Sequence, residues 1–508
     1  MKKDFKIFCI VFVFLLLISF NIYADDANPE QILKVGIGTD IGTFDVIKFT
    51  SSNDMKAASL VFETLITLDP NDLGMPVPLL ATSWKQINEI TWIFNLRKGV
   101  KFIDGTPFNA AAVKFSLERA ITALKSSRFQ GMIKVVNIIN DYQVEIKLKE
   151  PSSSFFTGLS RQTASIISPT AVKKYGEDWF KNPVGTGMFK LEEWIPGRYV
   201  AFTRNEDYWG TPAKLEKVVF YPIVNEDTRL MSFKSGEINV CEDLPAYEVP
   251  NIEADPNLNI QIQPQLRTIF LTLNTLCDTL KDIRVRKAIA LAIDKEGIFK
   301  YVMEGIAPEA KYGLFPPQIL TKDEPIGYGY DPELAKKLLA EAGYADGLEL
   351  ELWVPEGRYA KGVEICKVVQ GQLSKVGIKV NISIMESGSF WELTSNYDID
   401  KKFQMLLIGW LLPPDPFPVF LVLFNSDSNV NFSNYRFPGF EARNILASRT
   451  ADKDERDQIY LDMDKEVVEY VAIIPIYYGA MIYGVNAEVQ EFAGHPMDYL
   501  LIADTWIK

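Results

Sequence analysis

Leu33-Lys34-Val35-Gly36-Ile37-Gly38 alternates in side-chain character and then turns at glycine, which predicts a strand followed by a loop. Residues 53–65 place Met55, Leu60, Val61 and Leu65 at helical spacing. Residues 91–96 read as a strand, and Asp104-Gly105 supplies the turn after Val100-Lys101-Phe102. Asn109 is placed to cap a helix running to about Leu124. Residues 144–148 alternate as a half-exposed strand. A strand around Leu191 and Trp194 turns at Pro196-Gly197 into a hairpin partner at 200–203.

The rhythm changes in the second half. Residues 284–293 form an amphipathic pattern, and Asp331-Pro332 opens another helix that stops at Ala342-Gly343. A strand at 348–354, a helix from about 360 to 376 ending at Gly377, and a strand at 378–382 make a parallel crossover unit. An antiparallel-rich half thus precedes an α/β half, with the crossing expected near Leu273-Asn274-Thr275. No segment repeats.

Length and composition narrow the classes. The 508 residues exceed one hydrophobic core, and 47% hydrophobic with 23% charged positions is ordinary for a globular chain. Lys+Arg of 53 against Asp+Glu of 66 gives −13 with no basic stripe, which argues against a nucleic-acid partner. A single histidine, His495, beside Gly494 and Pro496, leaves no basis for Ser-His-Asp hydrolysis, HExxH zinc chemistry or a His-rich metal cage. Gly36-x-Gly38 with Gly42 lacks the spacing of a dinucleotide fingerprint, and no phosphate loop occurs. No activated nucleophile or metal set is present, so neither enzyme activity nor a cofactor is expected.

The first 24 residues have their own layout. Lys2, Lys3 and Lys6 precede an apolar run from Ile7 to Ile18, and Ile22-Tyr23-Ala24 fits a cleavage site before Asp25. That is the pattern of a secretory signal peptide, and the run is shorter than the ~20 residues of a spanning helix. Its removal takes away three Lys and one Asp and leaves the chain near −15. Cys241, Cys277 and Cys366 then remain, too few and too scattered for a disulfide framework, and buried free thiols are expected.

Several stretches lie in register over nearly the whole remaining chain: Leu79-Leu80-Ala81-Thr82-Ser83-Trp84, 94–108, Pro183-Val184-Gly185-Thr186-Gly187, 204–210, Asp282-Ile283-Arg284-Val285-Arg286-Lys287-Ala288 and 331–339. On these the chain resembles the extracellular solute-binding proteins of family 5, which serve peptide/nickel ABC importers. The resemblance implies an α/β, two-lobed periplasmic-binding-protein (clamshell) fold of the large cluster with type II topology. Lobe I would comprise 25–60, 184–274 and 482–508, with an extra domain inserted at 61–183, and lobe II would span 275–481. Leu273-Asn274-Thr275 and the chain near Gly479 would be the crossings. The expected protein is a periplasmic monomer that closes on a small-molecule, metal-chelate or peptide ligand and delivers it to an inner-membrane ABC permease.

Gly409-Trp410-Leu411-Leu412-Pro413-Pro414-Asp415-Pro416 bears on the ligand. Peptide-binding relatives place an Asp three residues after this Trp, as the partner of the peptide ammonium. Here Pro413 stands there and carries no charge. The spacing resembles the nickel-chelate branch, with its Trp-x-x-Pro-x-Asp-Pro, and Met55 falls where that branch has a methionine near the ligand. That branch often has a His beyond the Asp-Pro, and 424–440 contains none. Protein metal ligation is therefore not expected. The resemblance instead places Trp410, Pro414, Met55, Arg128 and Arg161 around a nickel chelate or similar carboxylate-bearing solute, with an arginine suited to a carboxylate. The alternative is an oligopeptide or dipeptide ligand with a non-standard ammonium partner, Asp504.

Overall fold

In the computed structural model, residues 30–49, 51–70, 72–123, 132–395, 403–436, 438–450 and 452–508 are described. The leader segment and Arg128 lie outside the described residues. Local chemistry sets most element ends. Asn109 accepts a hydrogen bond from the Ala112 amide at 3.1 Å and starts the helix Ala110–Ala123. Asp331 accepts from the Leu334 amide at 2.9 Å, with Pro332 in the first turn of the helix Pro332–Glu341. Gly343, at φ +90°, ends that helix in the left-handed region open to glycine. Strands Ile32–Ile37, Thr91–Leu96, Gln143–Leu148, Phe189–Ile195, Tyr199–Arg204, Leu348–Pro355 and Ile378–Met385 lie where the alternation predicts them.

Ten strands form one sheet. Their order is Ile378–Met385, Leu348–Pro355, Met405–Leu411, Leu258–Leu273, Ile473–Asn486, Val240–Cys241, Ile32–Ile37, Lys217–Pro222, Tyr199–Arg204 and Phe189–Ile195. The first half is less antiparallel than its rhythm suggests, because Ile32–Ile37 runs parallel to both Lys217–Pro222 and Val240–Cys241. The crossover expected in the second half is present, with Leu348–Pro355 parallel to Ile378–Met385. A separate antiparallel sheet holds Ala81–Asn88, Thr91–Leu96, Gln143–Leu148 and Ile133–Asn140.

The two longest strands join the halves. Leu258–Leu273 pairs with Ile473–Asn486 along its length, but the register breaks between Pro264 and Thr268, opposite Gly479. Beyond the break Leu258–Leu273 also pairs with Met405–Leu411. Three residues, Gln265, Leu266 and Arg267, are thus accommodated against one, which bends the strand where its neighbours change. Leu273-Asn274-Thr275, the expected crossing, lie past this point. The Asn274 amide donates to the Gln404 carbonyl and that of Thr275 to the Ser433 carbonyl, both at 2.8 Å.

Three large apolar cores surround this frame. One is built on Leu33, Val35, Phe44, Phe202 and Tyr483, another on Leu271, Ile289, Leu352 and Ile365. The third runs without interruption from the four-stranded sheet, through Phe94, Phe155 and Leu159, to Leu412, Phe420 and Ala447 of the second half. Of the described cysteines, Cys241 and Cys366 are buried, Cys277 is half-buried, and none is bonded to another.

Candidate functional site

Ligands in open α/β sheets sit in the crevice beyond the carboxyl ends of the parallel strands. Here that edge carries Gly38 after Ile32–Ile37, Ile223 after Lys217–Pro222, and Glu242-Asp243 after Val240–Cys241. The helix Ser52–Val61 is fixed beside it by a capping box, in which Ser51 and Asp54 exchange side-chain and backbone bonds. The next turn of that helix carries Lys56, which is buried.

Lys56 Nζ lies 2.6 and 2.7 Å from the two carboxylate oxygens of Glu242 and 3.5 Å from Asp498 Oδ1. Burial alone would lower the lysine pKa. Asp498, Glu242 and Asp243 outweigh it and hold the ammonium above its ordinary value. Arg229 is engaged differently. Its guanidinium donates to the carbonyls of Glu242 at 2.7 Å, Ile223 at 2.5 Å and Asp243 at 3.3 Å. These bonds hold together the two loops that leave the strand ends.

At the strand ends and the crossing, the side chains of Asp243 and Arg267 have no hydrogen bond or ion pair to a described residue. Asp243, held at φ +50°, has its Oδ2 3.6 Å from where a Cβ on Gly38 would stand. It is exposed, yet burial raises its carboxyl pKa, against the pull of Arg229, Lys56 and Arg267. Arg267, half-buried, sits in the strand irregularity beside Gly479. A Cβ on Gly479 would lie 3.1 Å from the Arg267 Cβ, so the arginine packs against the crossing itself.

The second half provides the opposite wall. The buried Tyr359 ring lies over Gly409 and its hydroxyl donates to the Gly409 carbonyl at 3.3 Å. The hydroxyl of Tyr477 donates to the Ala360 carbonyl at 3.0 Å. Burial raises both phenols, and the Arg267 charge opposes the shift in each, as it does at Asp243. At the rim the Lys361 ammonium stands 5.6 Å from the Tyr247 ring centroid, bridging the two halves. Among the described residues no group of three or more His, Cys, Asp or Glu side chains is placed to hold a metal ion.

Residues 75–432 match the family described as bacterial extracellular solute-binding proteins, family 5 Middle. The chain belongs to this family. It is 29% identical over 396 residues to the glutathione-binding protein GsiB of Salmonella choleraesuis (strain SC-B67), covering 77% of each chain. Among solved structures it is similar to the periplasmic binding protein DppA from Helicobacter pylori in complex with the peptide STSA, at 27% identity and TM-score 0.80, covering 94% of this chain and 98% of that one. It is also similar to NikA from Brucella suis in complex with Fe(III)-EDTA, at 25% identity and TM-score 0.85, covering 94% and 100%. The family 5 protein therefore has the α/β periplasmic-binding-protein fold of that cluster. It is a substrate-binding component of a peptide/nickel-type ABC importer, and not an enzyme. No described helix is long and apolar enough to cross a membrane.

The structure distributes the candidate residues of the family 5 protein unevenly. Met55 is half-buried on the helix that carries Lys56. Trp410 is half-buried on Met405–Leu411, paired with Thr268 one residue after Arg267. Arg161 is half-buried before the short turn Gln162–Ala164, and its charge reaches Tyr499, next to Asp498. Pro414 is half-buried, and Pro413 is buried. Asp504 is exposed in the turn before the final strand, beside Thr505, whose hydroxyl donates to the Glu491 carbonyl at 3.1 Å. It is not among the groups gathered at the strand ends. Asp415 is buried and accepts from Ser153 Oγ and from the Phe417 amide, both at 2.8 Å. The Asp of the motif thus ties the second half to the segment carrying the four-stranded sheet.

Proposed function

We propose that this protein captures a small carboxylate-bearing solute in the crevice between its halves and presents it to an inner-membrane ABC permease. The observation that carries the reading is Arg267, a guanidinium at the point where the chain passes between halves, with no acceptor among the described residues. A planar, permanently charged fork takes a carboxylate in two parallel bonds, and a half-buried arginine without an acceptor is costly until an anion arrives. Arg161 is a second cation near the same crevice, through its effect on Tyr499. The irregularity at 265–267 and Gly479 serve as the hinge, and closure about it removes water and strengthens each ligand contact. The relatives named above bind glutathione, a peptide and Fe(III)-EDTA according to their descriptions, and each of these ligands bears carboxylates.

Native mass spectrometry of protein freshly isolated from the cell envelope tests this reading. The retained ligand is expected to carry at least one carboxylate, and Arg267→Ala is expected to emerge empty. A retained ligand without an acidic group, or an Arg267→Ala protein as fully loaded as the parent, overturns it.

A further inference from the structure

Inside the apolar seam between the segment carrying the four-stranded sheet and the second half lies a group of buried oxygens. Asp415, 8% exposed, makes no ion pair with a described residue, and its two hydrogen bonds come from neutral donors, Ser153 Oγ and the Phe417 amide. Burial raises its carboxyl, against the pull of those two donors, the Ser154 hydroxyl and the Arg456 charge. Three further oxygens have no hydrogen-bond partner among the described residues: Ser154 Oγ, Tyr460 Oη and Asn444 Oδ1, on residues 2%, 0% and 2% exposed. Burial holds the Tyr460 phenol neutral, and the Asp415 charge reinforces this. Asp457, whose charge also reaches Tyr460, is already paired with Lys453 at 2.6 Å. Asn444 is tied in through Phe417, whose carbonyl accepts its Nδ2 at 3.1 Å and whose amide donates to Asp415.

Buried polar atoms in folded proteins are paired, so three unpaired oxygens around an uncompensated carboxylate call for an occupant. Water would pair the hydroxyls and leave the carboxylate charge enclosed without a counter-charge. We propose that this seam binds a monovalent metal cation, sodium or potassium, held by Asp415, Ser154, Tyr460 and Asn444. Carboxylate, hydroxyl and amide oxygens are the ligands that hard cations take. One carboxylate cancels one positive charge, whereas a divalent ion would stay half-neutralised inside an apolar core. The ligands come from both sides of the seam. Ser154 stands ahead of the helix Phe155–Leu159, while Asn444 and Tyr460 lie on the helices Phe440–Arg449 and Lys453–Glu469 of the second half. The ion thus fastens the sheet-bearing segment to the second half, whatever the crevice holds.

The test uses the full-length mature protein, melted in sodium, potassium, calcium or choline chloride at equal ionic strength, which holds screening constant. In sodium or potassium chloride the melting temperature is expected to exceed that in choline chloride by about 2 °C or more, rising with the logarithm of the cation concentration. The larger of the two shifts identifies the ion. Asp415→Asn and Tyr460→Phe are each expected to abolish the difference. Tyr460→Phe removes one hydroxyl and keeps the ring, whose centroid lies 6.0 Å from that of Phe420, so it carries the test if Asp415→Asn does not fold. Equal melting of the parent in choline and in both alkali chlorides overturns the proposal without any variant. A response to calcium alone overturns it, and so does an alkali effect undiminished in either variant.

Discussion

His495 is the sole histidine of the chain, so its titration can be followed without interference. Its ring is buried, and Nδ1 accepts the Met497 amide at 3.0 Å. Burial lowers its pKa from 6.5 to about 4, and no carboxylate compensates. The unfolded chain therefore binds a proton near pH 6.5 that the folded chain refuses until about pH 4. The resulting stability is fully present above 6.5 and is lost as pH falls from 6.5 to about 4. A shift of this size corresponds to about 3 kcal/mol at most. Protonation would also put a hydrogen on the nitrogen that accepts from Met497, two residues before Tyr499 and next to Pro496, whose carbonyl receives the Leu266 amide at the strand irregularity. In His495→Asn the side-chain oxygen can replace Nδ1 as acceptor while nothing titrates. The difference in urea stability between parent and variant is expected to change by about 3 kcal/mol between pH 7 and pH 4, in favour of the variant at low pH. Taking the difference cancels the carboxylates common to both proteins. A pH-independent difference, or an NMR titration of the folded protein centred near 6.5, refutes the argument.

Two further outcomes follow from the buried polar contacts. Lys56→Met leaves Glu242 and Asp498 buried without their cation and is expected to cost about 3–5 kcal/mol in denaturant stability, with Lys56→Met/Glu242→Gln recovering part of it; a single-variant loss below about 1 kcal/mol contradicts this. Ser153→Ala removes one of the two donors to Asp415, an interaction of about 1–3 kcal/mol across the halves, and is expected to enlarge the scattering radius of the unliganded protein; an unchanged radius means this contact does not help hold the halves together.

Where a short stretch carries its own signals, the sequence and the structure agree. Asn109, Asp331 and the glycines at 105 and 343 specify turns and caps through local bonds and backbone angles, so no distant residue is needed to recognise them. The ten-stranded sheet is different. Leu258–Leu273 and Ile473–Asn486 lie about two hundred residues apart, and their pairing depends on both cores being folded. The register break at 265–267, opposite Gly479, is visible only once the partner strand is known. The site follows the same logic. Lys56, Glu242 and Asp498 are ordinary charged residues in sequence, and nothing local says that they meet. Glu242 is buried against Lys56, while Asp243 beside it, at φ +50°, is exposed. The Asp-Pro after Trp410 was legible as a motif, but its aspartate binds Ser153, a partner 262 residues away.

The contacts between the halves differ in kind at the two ends, and on the reading proposed above this bears on closure. On one side Phe155 and Leu159 share a continuous apolar core with Leu412, Phe420 and Ala447, joined by the Asp415–Ser153 bond, the bond from the Ser153 amide to the Ser448 carbonyl at 2.7 Å and the Glu150–Arg449 ion pair. On the other the bridge is Lys361 over the Tyr247 ring, which is 44% exposed, a contact of about 0.5–1 kcal/mol at such a site. On that reading, the apolar side stays packed while the rim opens, and the motion that admits a solute lies at the rim and the strand irregularity. Complete reversal of an open-to-closed ratio takes about 5.5 kcal/mol of differential binding. The rim contact supplies a small part of that. On the reading proposed above, the greater part comes from the bonds that the Arg267 guanidinium, which has no acceptor among the described residues, makes only once a carboxylate is present.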